Sequence, residues 1–225
     1  MKVVIFGATG MVGQGVLREC LLDPDVESVL AIVRKSSLPQ HVKLREIVHQ
    51  DVSDLSAIED SLSGYDACFF CLGVSSVGKT AETYRRVTYD LTVSVGKTLA
   101  NLNPTMTFIY VSGAGTDSSE RGRLMWARVK GRTENALLQM RFKAVFLFRP
   151  GYVQLLHGIR TKTAWYGAFY AVVRPFYPVL KMLFPNYVTT TECVGHAMLS
   201  VTKRGFPKPV LENRDINVMC AKDSK

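Results

Sequence analysis

The segment Gly7-Ala8-Thr9-Gly10-Met11-Val12-Gly13 follows a short β-branched run, Val3 to Phe6, and leads into a stretch of helical period from Gln14 to Leu22. Three glycines at this spacing between a strand and a helix leave few folds open. Gly7 permits a sharp turn, Gly10 removes a Cβ where a bound group must approach, and Gly13 lets the helix lie close to the sheet. A helix that starts here offers unbonded N–H groups and the positive end of its dipole, so the expected occupant is a phosphate. Within a βαβ unit that phosphate is a dinucleotide pyrophosphate, with Thr9, Met11 and Val12 completing the loop around it.

The rest of the chain supports that unit. Val29 to Val33, Ala67 to Cys71, Thr107 to Val111 and Ala144 to Phe148 read as further strands, with a weaker one at Glu46 to Val48, and helical-period segments alternate with them. This is the pattern of a parallel sheet wound by crossover helices. Val87, Leu91, Val95 and Leu99 recur every fourth residue and predict a helix over 80–102, while Met125 to Met140 predicts a second. The expected fold is α/β, a Rossmann-type doubly wound parallel sheet with helices on both faces and a small C-terminal cap. With 225 residues, 47% of them hydrophobic, the chain has the mass for one compact domain and not two. Residues 1–225 are therefore read as a single domain with 151–190 as a substrate or cap region. There Trp165, Tyr166, Phe169, Tyr170, Phe176, Tyr177 and Phe184 crowd together with basic residues and prolines.

The residue after the second strand separates the dinucleotides. An acid there would bond a ribose 2′-hydroxyl; Arg34 and Lys35 instead offer cations to a 2′-phosphate, or else are a solvated surface pair. NADP(H) is the preferred cofactor on this reading and NAD(H) the alternative. Asp51 after the third strand is placed to bond the adenine amino group with Val52 against the ring, and Cys71, Leu72 and Gly73 to line the adenosine ribose.

Composition narrows the partners. The net charge of +9 invites an anionic ligand, a nucleic acid or a membrane surface. No basic run reaches five residues and no zinc pattern occurs, which counts against nucleic acid. Prolines 175, 178 and 185 break any long amphipathic helix in the basic aromatic stretch, so a lid over a small-molecule substrate or a protein-partner surface is favoured over a membrane surface. Five cysteines spread through the chain suit reduced thiols, and no secretory signal is read, so the cytoplasm is the expected compartment. Cys68 and Cys71 form a CxxC but sit in an apolar strand run, which reads as burial rather than redox chemistry. The four histidines show no ligand spacing with one another or with cysteine, so no metal site is expected.

The motifs GATGMVG (7–13), CLG (71–73), VSGAGTDSSE (111–120), WARVKGRTENAL (126–137) and FRPGYV (148–153) resemble the atypical short-chain dehydrogenase/reductase superfamily. The similarity lies with its NAD(P)-binding Rossmann group of sugar-nucleotide epimerase-like proteins and the Tat-interacting protein of 30 kDa. It covers most of residues 1–153 and implies oxidoreductase or epimerase ancestry. It further implies a dimer through the helices at 80–102 and 125–140, and a cofactor edge formed by Pro150, Gly151 and Val153. In that family a serine orients the carbonyl, a tyrosine moves its proton, and a lysine four residues later holds the nicotinamide ribose. The resemblance places the serine at Ser112 and the lysine at Lys130. The tyrosine position is Trp126.

An indole N–H is a donor with no proton to give up at ordinary pH, so Trp126 cannot serve as general acid or base. Three outcomes stay open. Another group such as Tyr152 or Tyr84 supplies the proton for a small carbonyl or sugar substrate; the protein senses or scaffolds on the cofactor without turnover; or hydride passes to a quinone-like ring that takes its proton from water.

Overall fold

The computed structural model describes residues 1–159, 173 and 176–223. Strand β1 (Lys2–Phe6) passes through the glycine loop into helix α1 (Met11–Leu22), followed by β2 (Ser28–Val33) and β3 (Leu44–Val48). A 3-10 turn at Ser56–Leu62 precedes β4 (Ala67–Phe70). Next come α2 (Ala81–Arg85), a π-turn (Arg86–Asp90) and α3 (Leu91–Leu102), then β5 (Thr107–Val111), α4 (Met125–Leu138) and β6 (Ala144–Arg149). The chain continues through β7 (Tyr152–Gln154), α5 (Tyr177–Leu183), β8 (Val188–Thr190), α6 (Thr191–Arg204), β9 (Val210–Glu212) and α7 (Asn213–Asp223).

Seven strands form one parallel sheet in the order β3-β2-β1-β4-β5-β6-β9. The order reverses direction at β1 and β4, which opens a crevice at their carboxyl ends where such sheets bind ligands. Side chains alternate across the sheet as a strand requires. Val3, Ile5, Ala31 and Phe69 face Val16 and Cys20 of α1, Ala197 and Met198 of α6 and Ile216 of α7. Val4, Phe6, Leu30 and Phe70 face Val95, Leu99 and Leu137 on the other side. Phe70 stacks between Phe6 and Phe108, with ring centroids 5.6 and 6.0 Å away. The doubly wound Rossmann-type sheet expected from the sequence is the observed fold.

Five details depart from expectation. The helix over 80–102 is interrupted by the π-turn, so of its four-residue stripe Val95 and Leu99 are buried while Val87 and Leu91 are half-exposed. The weak strand is longer than Glu46 to Val48, and the helix predicted to Met140 ends at Leu138. The chain beyond 190 returns to the main sheet: β9 pairs with β6, and α6 packs along α1. Finally, the expectation of five reduced thiols is corrected, because Cys193 of α6 and Cys220 of α7 form a disulfide. These two helices are antiparallel neighbours, an arrangement that sequence spacing does not display. Most of the aromatic stretch, including Trp165, Tyr166, Phe169 and Tyr170, lies outside the described residues.

Candidate functional site

The glycine loop is wedged between the end of β4 and the start of α1. Gly7 has φ +85°, and a Cβ there would lie 2.7 Å from the carbonyl carbon of Cys71 and the amide of Leu72. A Cβ on Gly13 would lie 2.0 Å from the carbonyl oxygen of Gly7, so only glycine lets α1 begin this close to the strand. The Gly10 N–H donates to the Gly7 carbonyl at 2.9 Å, and Gln14 donates through its side-chain amide to the Thr9 carbonyl at 3.3 Å. No side chain caps Gly10, so the first-turn N–H groups of Met11, Val12 and Gly13 open from a helix end whose dipole is positive. That cradle fits a pyrophosphate.

Arg34 and Lys35 follow the end of β2 and are exposed, and the Gln50 side chain ties the Arg34 carbonyl to the loop after β3 at 2.6 Å. In that loop the Asp51 carboxylate accepts from the Ser53 hydroxyl at 2.5 Å and the Ser53 N–H at 3.0 Å, bonds that hold its pKa below the ordinary range. The Ser94 hydroxyl of α3 donates to the Ser53 carbonyl at 2.7 Å, and Val52 is buried beneath. Cys71, Leu72 and Gly73 follow β4 at the same edge, the Cys71 N–H donating to the Phe6 carbonyl at 2.8 Å. Burial pushes the Cys71 thiol up to about 12 and the Cys68 thiol well above its usual value. Neither sulfur is a thiolate near neutral pH, which leaves the CxxC as packing.

A cleft of about 440 Å³ opens beside this edge, and Ser112, Trp126 and Lys130 all line it together with Tyr84, Pro150 and Gly151. Lys130, one turn along α4 from Trp126, donates its ammonium to the Ser112 carbonyl. Burial lowers the Lys130 pKa from 10.5 to about 8, and Glu134 one turn further on partly opposes the shift. The indole ring of Trp126 lies against Gly115, where a Cβ would come within 3.3 Å of the ring.

Ser112 is itself committed. Its hydroxyl donates to Glu134 Oε1 at 2.5 Å and approaches the Phe148 carbonyl at 3.2 Å, and the residue is only 2% exposed. Glu134 is fully buried, and Arg149 from β6 grips it through Nε at 3.0 Å and through Nη2. Arg149 Nη1 reaches Glu212 of β9 at 3.2 Å. A buried carboxylate needs such pairing, since an unpaired one costs far more than it returns. Sequence reading passed over Glu134 and Arg149 because their partners lie in other elements; the one local signal was Glu134 standing four residues after Lys130 on the same helix face.

The remaining expected residues scatter. The Tyr152 hydroxyl donates to Gln154 at 2.9 Å, and Tyr152 is not among the residues that line the cleft. Tyr84, 1% exposed, does line it. The Gly151 N–H is held by Asn213 Oδ1 at 2.9 Å, the Pro150 carbonyl accepts from Ala114 N–H at 2.9 Å, and Val153 packs into the core. Glu19 of α1, His157 after β7 and Glu192 of α6 bring donor atoms within 4.8 Å of one another. No helix among the described residues is long and apolar enough to cross a membrane.

Comparison with known proteins agrees with this geometry. A family model described as NAD(P)H-binding matches residues 7–142. The chain is 27% identical over 153 residues to Protein HTATIP2 of Rattus norvegicus, covering 67% of this chain and 62% of that protein. It is 29% identical over 152 residues to the mitochondrial Protein FMP52 of Eremothecium gossypii, covering 67% and 66%. The match thus spans somewhat less than two thirds of the length of these relatives. Among solved structures, the fold superimposes on the Bordetella bronchiseptica enzyme WbmF in complex with NAD+ with a TM-score of 0.66, at 16% identity, covering 98% of this chain and 77% of that one.

Proposed function

Because the chain belongs to the NAD(P)H-binding family, we propose that it holds NADP(H) across the carboxyl ends of β1, β2 and β4, as a cofactor-reading protein without tyrosine-dependent turnover. The glycine loop and the uncapped start of α1 would take the pyrophosphate, and Asp51, Val52, Cys71, Leu72 and Gly73 the adenosine. Arg34 and Lys35 would take the 2′-phosphate as charge-assisted donors, which is the support for NADP(H) over NAD(H). Lys130 would hold the nicotinamide ribose, with Pro150 and Gly151 at the ring's edge. When bound, the nicotinamide supplies or accepts a hydride.

The single observation that carries the reading is the composition of the cleft. Ser112, Trp126 and Lys130 line one space, yet the first donates its hydroxyl hydrogen bond to a buried carboxylate and the second has no proton to exchange. A fluorescence titration of NADPH and NADH against the wild type and Arg34→Ser tests it. The expected result is preferred NADPH binding, weakened about 10- to 100-fold by the substitution while NADH is little changed, as loss of a charged hydrogen bond implies. Equal affinities would overturn the 2′-phosphate reading. Sustained NADPH consumption with small carbonyl, quinone-like or sugar substrates would overturn the absence of turnover. A second reading would then lead, in which Tyr84 supplies the proton, because that hydroxyl-bearing side chain lines the same cleft. In that case Tyr84→Phe abolishes consumption and Tyr152→Phe does not.

A further inference from the structure

A second centre lies on the opposite face of the sheet from α4, where α1, the segment after β7 and the start of α6 converge. Glu19 is 3% exposed, a carboxylate tucked between helices. A Cβ on Gly195 would lie 2.6 Å from the Glu19 side chain, so that glycine leaves the space the carboxylate fills. Arg18 Nη1 holds Glu19 Oε1 at 2.5 Å, while Glu19 Oε2 stands 3.2 Å from His196 Nε2. His157 Nε2 stands 2.5 Å from Glu192 Oε2. Glu192 and His196 are four residues apart on α6 and share one face, so both side chains lie toward Glu19.

The backbone adds an independent sign. His157 has φ +54°, one of two non-glycine residues with positive φ among those described. Such a conformation costs energy in an ordinary loop and persists where surrounding contacts hold a side chain in a required place. Here it presents the imidazole to two carboxylates from separate helices.

We propose that Glu19, His157 and Glu192 form a binding site for a divalent transition ion of the zinc class. One imidazole and two carboxylates make a three-ligand N/O set that leaves the fourth position of zinc's tetrahedron to a water or other small ligand. Arg18, bonded to Glu19 Oε1, and His196, beside Oε2, are the outer partners that orient a ligating carboxylate. The charges agree, because two carboxylates and one guanidinium leave a net negative site for a dication. His157, Glu192 and His196 are each about a third exposed, at 37%, 38% and 34%, so an ion has a path in. The site pins the chain after β7 against α1 and borders a cleft of about 630 Å³ that reaches from Thr9 through Gln14 and Leu38 to His157.

Calorimetric titration of Zn2+ chloride into the cofactor-free protein tests the proposal, with visible absorption of the Co2+ form as a second readout. One equivalent of Zn2+ is expected, and Co2+ should show the intense visible bands of a tetrahedral site. His157→Gln/Glu192→Gln should bind Zn2+ more weakly by at least the ~10–100-fold that loss of even an outer-shell partner costs. If that double variant fails to fold, Glu192→Gln alone gives the same reading. No saturable Zn2+ binding by the wild type, or equal binding by the variants, would overturn the site. The titration contains no dinucleotide, so its failure leaves the cofactor reading untouched.

Discussion

Lys130 shows what a single side chain does when the fold puts it under cover. In the unfolded chain its ammonium titrates at 10.5 and in the folded protein at about 8, because burial penalises the charge. Below about pH 8 the folded protein bears the full cost of burying that charge. Between about 8 and 10.5 the unfolded chain holds the extra proton, so this group makes the ligand-free protein more stable as pH rises. Cofactor affinity should move the other way, weakening above about pH 8 as the charge that would face the ribose is lost. Lys130→Met should flatten both profiles, which urea unfolding and NADPH titration at pH 6 to 10 would measure. At this scale the sequence was readable for position but not for state. Ser112 and Lys130 could be placed by motif, whereas the bond between Ser112 and Glu134 depends on β5, α4 and β6 meeting in space.

Among elements, the tie between α4 and β6 runs through Glu134 and Arg149, whose side chains are 1% and 12% exposed. Breaking a buried pair from one side strands the other charge. Arg149→Met should therefore cost roughly 3–5 kcal/mol, and Glu134→Met/Arg149→Met distinctly less than the single change, as measured by denaturant unfolding. The strands themselves were legible, since Val3 to Phe6 and Thr107 to Val111 are apolar runs of the length and β-branched content that a parallel sheet buries. The π-turn at Arg86–Asp90 was not, because its extra residue per turn leaves no mark on a four-residue apolar repeat that seemed to run straight through it. Strand β9 escaped as well. Val210 to Glu212 is three residues long and acquires its meaning only from the edge of β6.

At the scale of the molecule, the disulfide between Cys193 and Cys220 closes a loop of 27 residues and fastens the last helix to α6. Chain-entropy reasoning assigns such a loop about 3.5 kcal/mol at most. Alkylation of the denatured protein without reductant should label three thiols, Cys20, Cys68 and Cys71, and five after reduction. Labelling of all five from the outset would refute the bridge.

Helix α1 carries the glycine loop at its head, yet one of its flanks is covered by α6, where a Cβ on Gly15 would lie 2.6 Å from Thr191. Residues separated by more than half the chain must therefore meet before the loop is held firm. On a ribosome that emits the amino terminus first, the phosphate cradle emerges well before the helix that completes it. Nascent chains stalled before α6 are thus blind to the dinucleotide, and the ligand inspects only chains that have passed that point.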